Sequence, residues 1–300
     1  MTLLGERATA EITDRIIDGP HGPLRLRLYA PPRPAGVGLV WLHGGGFASG
    51  DLDQPEAHWV ANRLADAGVS VISVDYQLAP QRDWCDDENL RTPGVHFPIA
   101  SEEVSAAFDW ADAKAELGVP EGGWCLGGGS AGANLAAGAA LRLRDADRAQ
   151  PRSLVLAYPV MHAEHPPHRP ELAAKLATLA PEDRFSPEMV RAMNVNYVGE
   201  PELLREPYAF PGGTDLEGLP PTFVLTSDFD GLRSSGEQFA SELAAAGVDV
   251  LLVREDGTRH GHLNDPDDPG AHRSVARMAA WLLPNPLLAT APDRSGVSRP

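Results

Sequence analysis

Hydrophobic positions along this chain follow two periods, and the change from one to the other marks out its elements. Leu24-Arg-Leu-Arg-Leu28 alternates strictly, as a strand with one buried face does. Glu11 to Ile17 also has strand character, and Gly19-Pro-His-Gly22 between the two is turn chemistry, so an antiparallel hairpin is expected. Alternation then gives way to short, continuous apolar runs at Val37 to Leu42, Val69 to Val74, Trp124 to Leu126, Ser153 to Tyr158, Thr222 to Leu225 and Val248 to Val253. Such runs suit strands covered on both faces. Helical spacing fills the gaps: Pro55 to Ala67, Ile99 to Leu117 with Val104, Ala107, Phe108 and Ala111 on one side, Ala131 to about Arg148, Ser235 to Ala246, and Ala271 to Leu283. Strand and helix in turn predict an α/β fold, a mostly parallel central sheet with helices on both faces.

The rhythm fails after Tyr158. Met161 to Leu203 has no strand-like run, several prolines and two short helical stretches, Pro170 to Leu179 and Pro187 to Asn196. The expected organisation is one α/β domain over 1–300, with an insertion at about 161–205 lying over the strand ends as a lid or cap. Residues 81–96 read as an irregular, acidic, proline-containing loop, and 284–300 as a loose tail.

Composition narrows the function classes. With 43% hydrophobic residues, 300 residues can bury a large core. The net charge of −17, from 42 acidic against 25 basic residues, opposes binding to nucleic acid or to an anionic membrane. The two cysteines, Cys85 and Cys125, form neither a disulfide framework nor a zinc spacing, and Cys125 sits in an apolar run as a buried free thiol would. No run has signal-peptide or membrane-spanning character, so a soluble, cytoplasmic protein is expected. His162, His165 and His168 lie among prolines, where irregular backbone presents no fixed ligand face; no metal and no cofactor are expected. Asp265 to Asp268 reads as a solvated loop.

The chemistry gathers around Gly128-Gly-Ser130-Ala-Gly132, a serine between an apolar run and a helix. A strand-to-helix turn this sharp strains the serine and needs small neighbours where helix and strand pass. A serine nucleophile needs a base within roughly 2.6–3.2 Å, and the base needs an acid that orients it. His260, past the last strand, is the base candidate and Asp230, past the preceding strand, the acid; His262 and Asp228 stand two residues away as rivals. Functional side chains of such sheets gather at the strands' carboxyl ends, where all of these fall. Three consecutive glycines, Gly44, Gly45 and Gly46, follow His43 at the end of another strand. Their N–H groups, with that of Ala131, can hold the oxyanion formed when a serine attacks a carbonyl.

At these residues the chain resembles the bacterial hormone-sensitive-lipase-like carboxylesterases, a branch of the α/β-hydrolases. The matching stretches are His43-Gly-Gly-Gly-Phe47 with Gly50-Asp-Leu-Asp53, Asp75-Tyr-Gln-Leu-Ala-Pro80, Phe97-Pro98, and Gly129-Ser-Ala-Gly132 with Asn134-Leu-Ala136. Tyr158-Pro-Val160, Gly218-Leu-Pro-Pro221, Asp230-Gly-Leu-Arg233 and His260-Gly261 complete the match, which runs in order from about residue 11 to 283. The resemblance implies an α/β-hydrolase fold and Ser130 as nucleophile, His260 as base and Asp230 as acid. It implies Gly45, Gly46 and Ala131 as oxyanion donors with Gly44 supporting the loop. It also implies hydrolysis of short-chain acyl esters with no cofactor; the substrate is a small molecule, and the oligomeric state, a homodimer included, stays open.

Four departures stand out. Gly129 replaces the usual Asp before the serine, which removes a polar support of the turn. Ala133 replaces a glycine, and His262 replaces an aromatic, which is expected to make the rim of the site more polar. Barely ten residues precede Glu11, so the family's N-terminal cap helices are nearly absent and the cap is reduced. The long loop 81–96, with Trp84, is expected to replace part of that cap at the entrance. Deacetylation of sugar or natural-product esters, lactone hydrolysis and amide hydrolysis are alternatives on the same residues, and a non-catalytic small-molecule binding protein is the alternative of another class.

Overall fold

The computed structural model describes residues 9–80, 92–113 and 117–283. Within them lies an eight-stranded sheet, with strands β1 (Glu11–Gly19), β2 (Gly22–Ala30), β3 (Gly38–Leu42), β4 (Ser70–Asp75), β5 (Trp124–Gly129), β6 (Leu154–Ala157), β7 (Thr222–Phe229) and β8 (Val250–Arg259). The order across the sheet is β1-β2-β4-β3-β5-β6-β7-β8. β1 and β2 form the expected hairpin, and β2 joins β4 antiparallel. From β4 onward every neighbouring pair is parallel.

Seven α-helices are described: α1 (Pro55–Asp66), α2 (Ile99–Asp112), α3 (Ala131–Asp145), α4 (Pro170–Leu176), α5 (Pro187–Val198), α6 (Arg233–Ala245) and α7 (Pro269–Leu282). The continuous apolar strands explain where they sit. Along β3, Leu39 and Trp41 face one way and Val40 and Leu42 the other. The first pair packs with Val60 and Leu64 of α1 and Val275 and Met278 of α7. The second packs with Phe108 of α2, Leu135 of α3 and Phe239 of α6. Burial on both faces removes the polar alternation that a half-solvated strand would show.

Two strands run further than their hydrophobic runs. β7 continues past Leu225 to Phe229, so Asp228 lies within it, and β8 continues past Val253 to Arg259, the residue before His260. Their register breaks between Ser227 and Phe229, and such an irregularity re-aims the side chains that follow. The loop 81–96 falls mostly outside the described residues; its end at 92–96 is held by Val95 N–H donating to Leu78 O at 2.8 Å. The expected tail 284–300 lies outside them as well.

The end of β3 and the start of α3 pass backbone against backbone. A Cβ on Gly132 would strike the carbonyl oxygens of Leu42 and His43 and come within 2.7 Å of the Leu42 carbonyl carbon. Backbone cannot retreat as a flexible side chain can. Gly132→Ala should therefore lower unfolding free energy by about 1–3 kcal/mol, measured by urea denaturation. An unchanged denaturation midpoint would show that β3 and α3 can part freely.

Candidate active site

Ser130 joins β5 to α3 with φ 52° and ψ −116°, far from the conformations that ordinary residues favour. Its N–H donates to Ala157 O at 2.9 Å, and its own carbonyl accepts from Ala133 N–H at 3.1 Å as α3 begins. Phe47 and Tyr158 are also at positive φ, 66° and 35°. Strain of this kind clusters where surrounding structure over-determines a site.

The strand ends bring the sequence candidates together. Ser130 Oγ lies 3.0 Å from His260 Nε2, and His260 Nδ1 lies 2.8 Å from Asp230 Oδ2. Since a carboxylate only accepts, Nδ1 carries the proton and Nε2 is free to take one. Asp230 is buried, and its other oxygen accepts Leu232 N–H at 2.8 Å. Burial of the His260 ring works against its charged form, but the charge and hydrogen bond of Asp230, with a smaller contribution from Glu56, outweigh it and raise the pKa above 6.5. The arrangement can move a proton from the serine hydroxyl to the imidazole and stabilise the cation that results.

The rivals are engaged elsewhere. His262 Nδ1 lies 2.9 Å from Ser227 Oγ and Nε2 lies 2.8 Å from Ser274 Oγ. Desolvation lowers its pKa to about 4, so it stays neutral. At 4% exposure it does not reach the rim of the site, and the expected polar rim is corrected: the two serines draw the ring inward. Asp228 is bound by Lys175 at 2.6 Å, by Arg233 at 3.4 Å and by Gly257 N–H at 3.2 Å. Burial opposes its charge, yet these partners hold its pKa below the usual carboxylate value.

The glycine run lies beside the serine. Gly45 has φ 119°, and a Cβ there would meet the backbone of Ser49. His43 stacks on Tyr76 with ring centroids 4.4 Å apart, and burial lowers its pKa, so a neutral ring donates Nδ1–H to Gly44 O at 2.7 Å. Gly44 N–H is committed to the Glu56 carboxylate, so it braces the loop and is not an oxyanion donor. Gly45 and Gly46 remain, and Ala131, as the first residue of α3, has an N–H without an intrahelical acceptor.

A cavity of about 510 Å³ opens over Ser130 and His260. Phe185, Met189 and Met193 supply apolar lining and Ser49, Gln54 and Asn264 polar lining. The sequence reading missed all six. The spacing of Met189 and Met193 on one face of α5 was the available signal. Among the described residues no three His, Cys, Asp or Glu side chains gather to hold a metal. His162 is hydrogen-bonded to Ser235 and Glu242, and His168 to Ser234. No described helix is long and apolar enough to cross a membrane.

The space beside Gly129 is not empty. The carboxylate of Glu56, a buried side chain of α1, fills the space where a side chain at 129 would stand. It also accepts the Tyr158 hydroxyl at 2.5 Å.

Known proteins share this fold. The family described by the alpha/beta hydrolase fold matches residues 39–86 and 90–264. Esterase LipI of Mycobacterium tuberculosis is 30% identical over 259 residues, covering 84% of this chain and 75% of LipI. Carboxylic ester hydrolase LipN of the same organism is 34% identical over 274 residues, covering 87% of this chain and 66% of LipN, so this chain spans just under two thirds of LipN. The solved structure of the Pyrobaculum calidifontis esterase, 32% identical, superposes with a TM-score of 0.78 over 94% of this chain and 87% of that one.

Two histidines two residues apart should thus titrate on opposite sides of 6.5. In an NMR pH titration His260 is expected above that value and His262 near 4. Asp230→Asn should bring the His260 midpoint down and move His262 much less, since burial is the main cause of the His262 shift. The depressed His262 makes a stabilising contribution that is present above pH 6.5 and lost as pH falls toward about 4, because the unfolded chain takes up the proton first.

Proposed function

The chain belongs to the α/β-hydrolase family and to its hormone-sensitive-lipase-like branch of carboxylesterases, and we propose that it hydrolyses short-chain acyl esters at Ser130. The observation that carries this reading is the unbroken relay from Ser130 Oγ through His260 to Asp230, at the floor of a cavity. Ser130 Oγ attacks the acyl carbonyl carbon as its proton passes to His260 Nε2. The carbonyl oxygen becomes an oxyanion, accepted by the N–H groups of Gly45, Gly46 and Ala131. His260 returns the proton to the leaving alkoxide, and the alcohol departs. Water then enters, gives a proton to His260 and attacks the acyl-serine, and the acid leaves as Ser130 recovers its hydrogen.

The insertion at about 161–205 acts as the cap in this reading. Its α5 and Phe185 carry the apolar lining of the cavity. Its α4 is fastened to the body by Lys175 on Asp228 and by Glu171 on Arg233 at 2.9 Å. A small acyl group suits the apolar lining. The polar lining from Ser49, Gln54 and Asn264 favours a second reading, deacetylation of a polar alcohol such as a sugar.

Ser130→Ala should lower kcat on p-nitrophenyl acetate by about 10⁴-fold or more and abolish labelling by a fluorophosphonate. Asp230→Asn should cost about 10⁴-fold, because the imidazole then loses its tautomer. Near-wild-type turnover by Ser130→Ala would overturn the assignment. Faster release of acetate from an acetylated sugar than from p-nitrophenyl acetate, judged by kcat/KM, would favour the second reading.

A further inference from the structure

Glu56 is 1% exposed and neither gives nor takes a proton in the relay described above. Its surroundings are unusual for a structural acid. Oε2 accepts from Gly44 N–H, and from Gln54 Nε2 at 3.3 Å. Oε1 accepts the Tyr158 hydroxyl at 2.5 Å. The Glu56 backbone N–H donates to Asn264 Oδ1 at 3.1 Å. The carboxylate lies so close to Gly129 that a Cβ there would overlap Oε1 and stand 2.5 Å from Cδ. One residue of α1 therefore touches the glycine loop after β3, the serine turn after β5, Tyr158 after β6 and the loop after β8 that begins with His260.

We propose that Glu56 is a positioning residue of this active site, supplying from α1 the carboxylate that residue 129 lacks. It holds Gly44 so that Gly45 and Gly46 present their N–H groups to the substrate oxygen. It also places a second negative charge within the field of His260. The inference rests on the ester-hydrolase reading of Ser130.

Three physical points support the role. A buried carboxylate is tolerated only where donors satisfy it, and Gly44, Gln54 and Tyr158 do so. An oxyanion hole works by pre-organisation, so the loop must be braced before substrate arrives, and a charged acceptor on Gly44 N–H is a strong brace. The groups that face His260 are Asp230 after β7, Tyr158 after β6, Phe185 of the insertion and, on its own loop, a neutral His262; Asp230 and Glu56 are the acids whose charge favours the imidazolium. Tyr158 cannot add charge, since burial and the Glu56 carboxylate push its hydroxyl pKa well above 10.

The test uses the full chain with Glu56→Gln, Glu56→Ala, Gly129→Asp and the double variant Glu56→Ala/Gly129→Asp. Steady-state kinetics on p-nitrophenyl acetate, thermal unfolding and the NMR titration of His260 are the readouts. Glu56→Gln should lower kcat by about 10- to 100-fold, the scale of a slightly misplaced reacting group, with KM little changed. It should also lower the His260 midpoint. Gly129→Asp alone should be impaired, because its carboxylate collides with Glu56. The double variant should recover about tenfold in kcat over Glu56→Ala, since neighbouring sites that share one space couple strongly. Glu56→Gln with wild-type kcat and an unmoved His260 midpoint would overturn the proposal, as would a double variant no more active than Glu56→Ala. A packing role alone would lower the unfolding temperature and leave the His260 midpoint where it was, and that result also overturns it. If the wild-type chain turned over no ester, the ester-hydrolase reading would fail; the His260 midpoints and the unfolding temperature of the double variant would still decide where the carboxylate acts.

Discussion

The site depends on one strained residue. Holding Ser130 at φ 52° and ψ −116° costs about 1–3 kcal/mol, which nothing within the pentapeptide recovers. The restraint comes from both neighbouring strands. Gly128 pairs with Leu42 of β3 and Gly129 with Ala157 of β6, so the turn starts from a fixed register. Ser130 N–H then reaches across to Ala157 O, and the Asn134 side chain ties the first turn of α3 to Val160 O at 2.8 Å. The serine lines the cavity because hydrogen-bonded strands on either side hold the turn that presents it.

Around that serine, environment sorts residues of one type into different tasks. Asp228 and Asp230 lie two positions apart across a break in strand register. One meets Lys175 and Arg233, the other meets His260. His260 and His262 are likewise two apart; burial lowers the pKa of His262, while at His260 the charge and hydrogen bond of Asp230 outweigh burial and raise it. The division of labour follows from which face of a short segment each side chain occupies, which the irregular end of β7 and the αL residue Gly261 set between them.

Much of the fold was legible in the sequence because strands buried on both faces announce themselves as unbroken apolar runs. β7 and β8 were read too short because their carboxyl ends are polar. Asp228 in β7 and Glu255 in β8 are buried all the same, paired with Lys175 and with Arg273 and Arg277. Hydrophobicity cannot flag a buried acid whose burial is offset by ion pairs. Within the site, Ser130 and the glycine run were visible as local motifs, since tight turns constrain adjacent residues. Asp230 and His260 were visible through chain order and strand ends. Phe185, Met189 and Met193 reach the cavity through the packing of the insertion; the spacing of the two methionines marks a shared face of α5 but not what that face meets. The polar rim assigned to His262 went astray because a ring between two buried serines looks, in sequence, like any other histidine after a catalytic-looking one.

Glu56 carries no local signal of its role in the site. An acid in the first turn of a helix, just after Pro55, complements the helix dipole and needs no further role. Read alone, Gly129 is likewise a loss, an elbow short of one polar tie. The two positions explain each other only when their side chains occupy the same space. A carboxylate at 129 and a glutamate at 56 in this rotamer cannot coexist, because the Cβ of the first would already lie on the oxygens of the second. The glycine is therefore what admits a longer acid from α1, and that acid reaches further than a residue at 129 would, to Gly44 on one side and Tyr158 on the other. What a motif comparison scores as a missing acid is, in physical terms, the same charge delivered from another element, with the volume balanced across the contact.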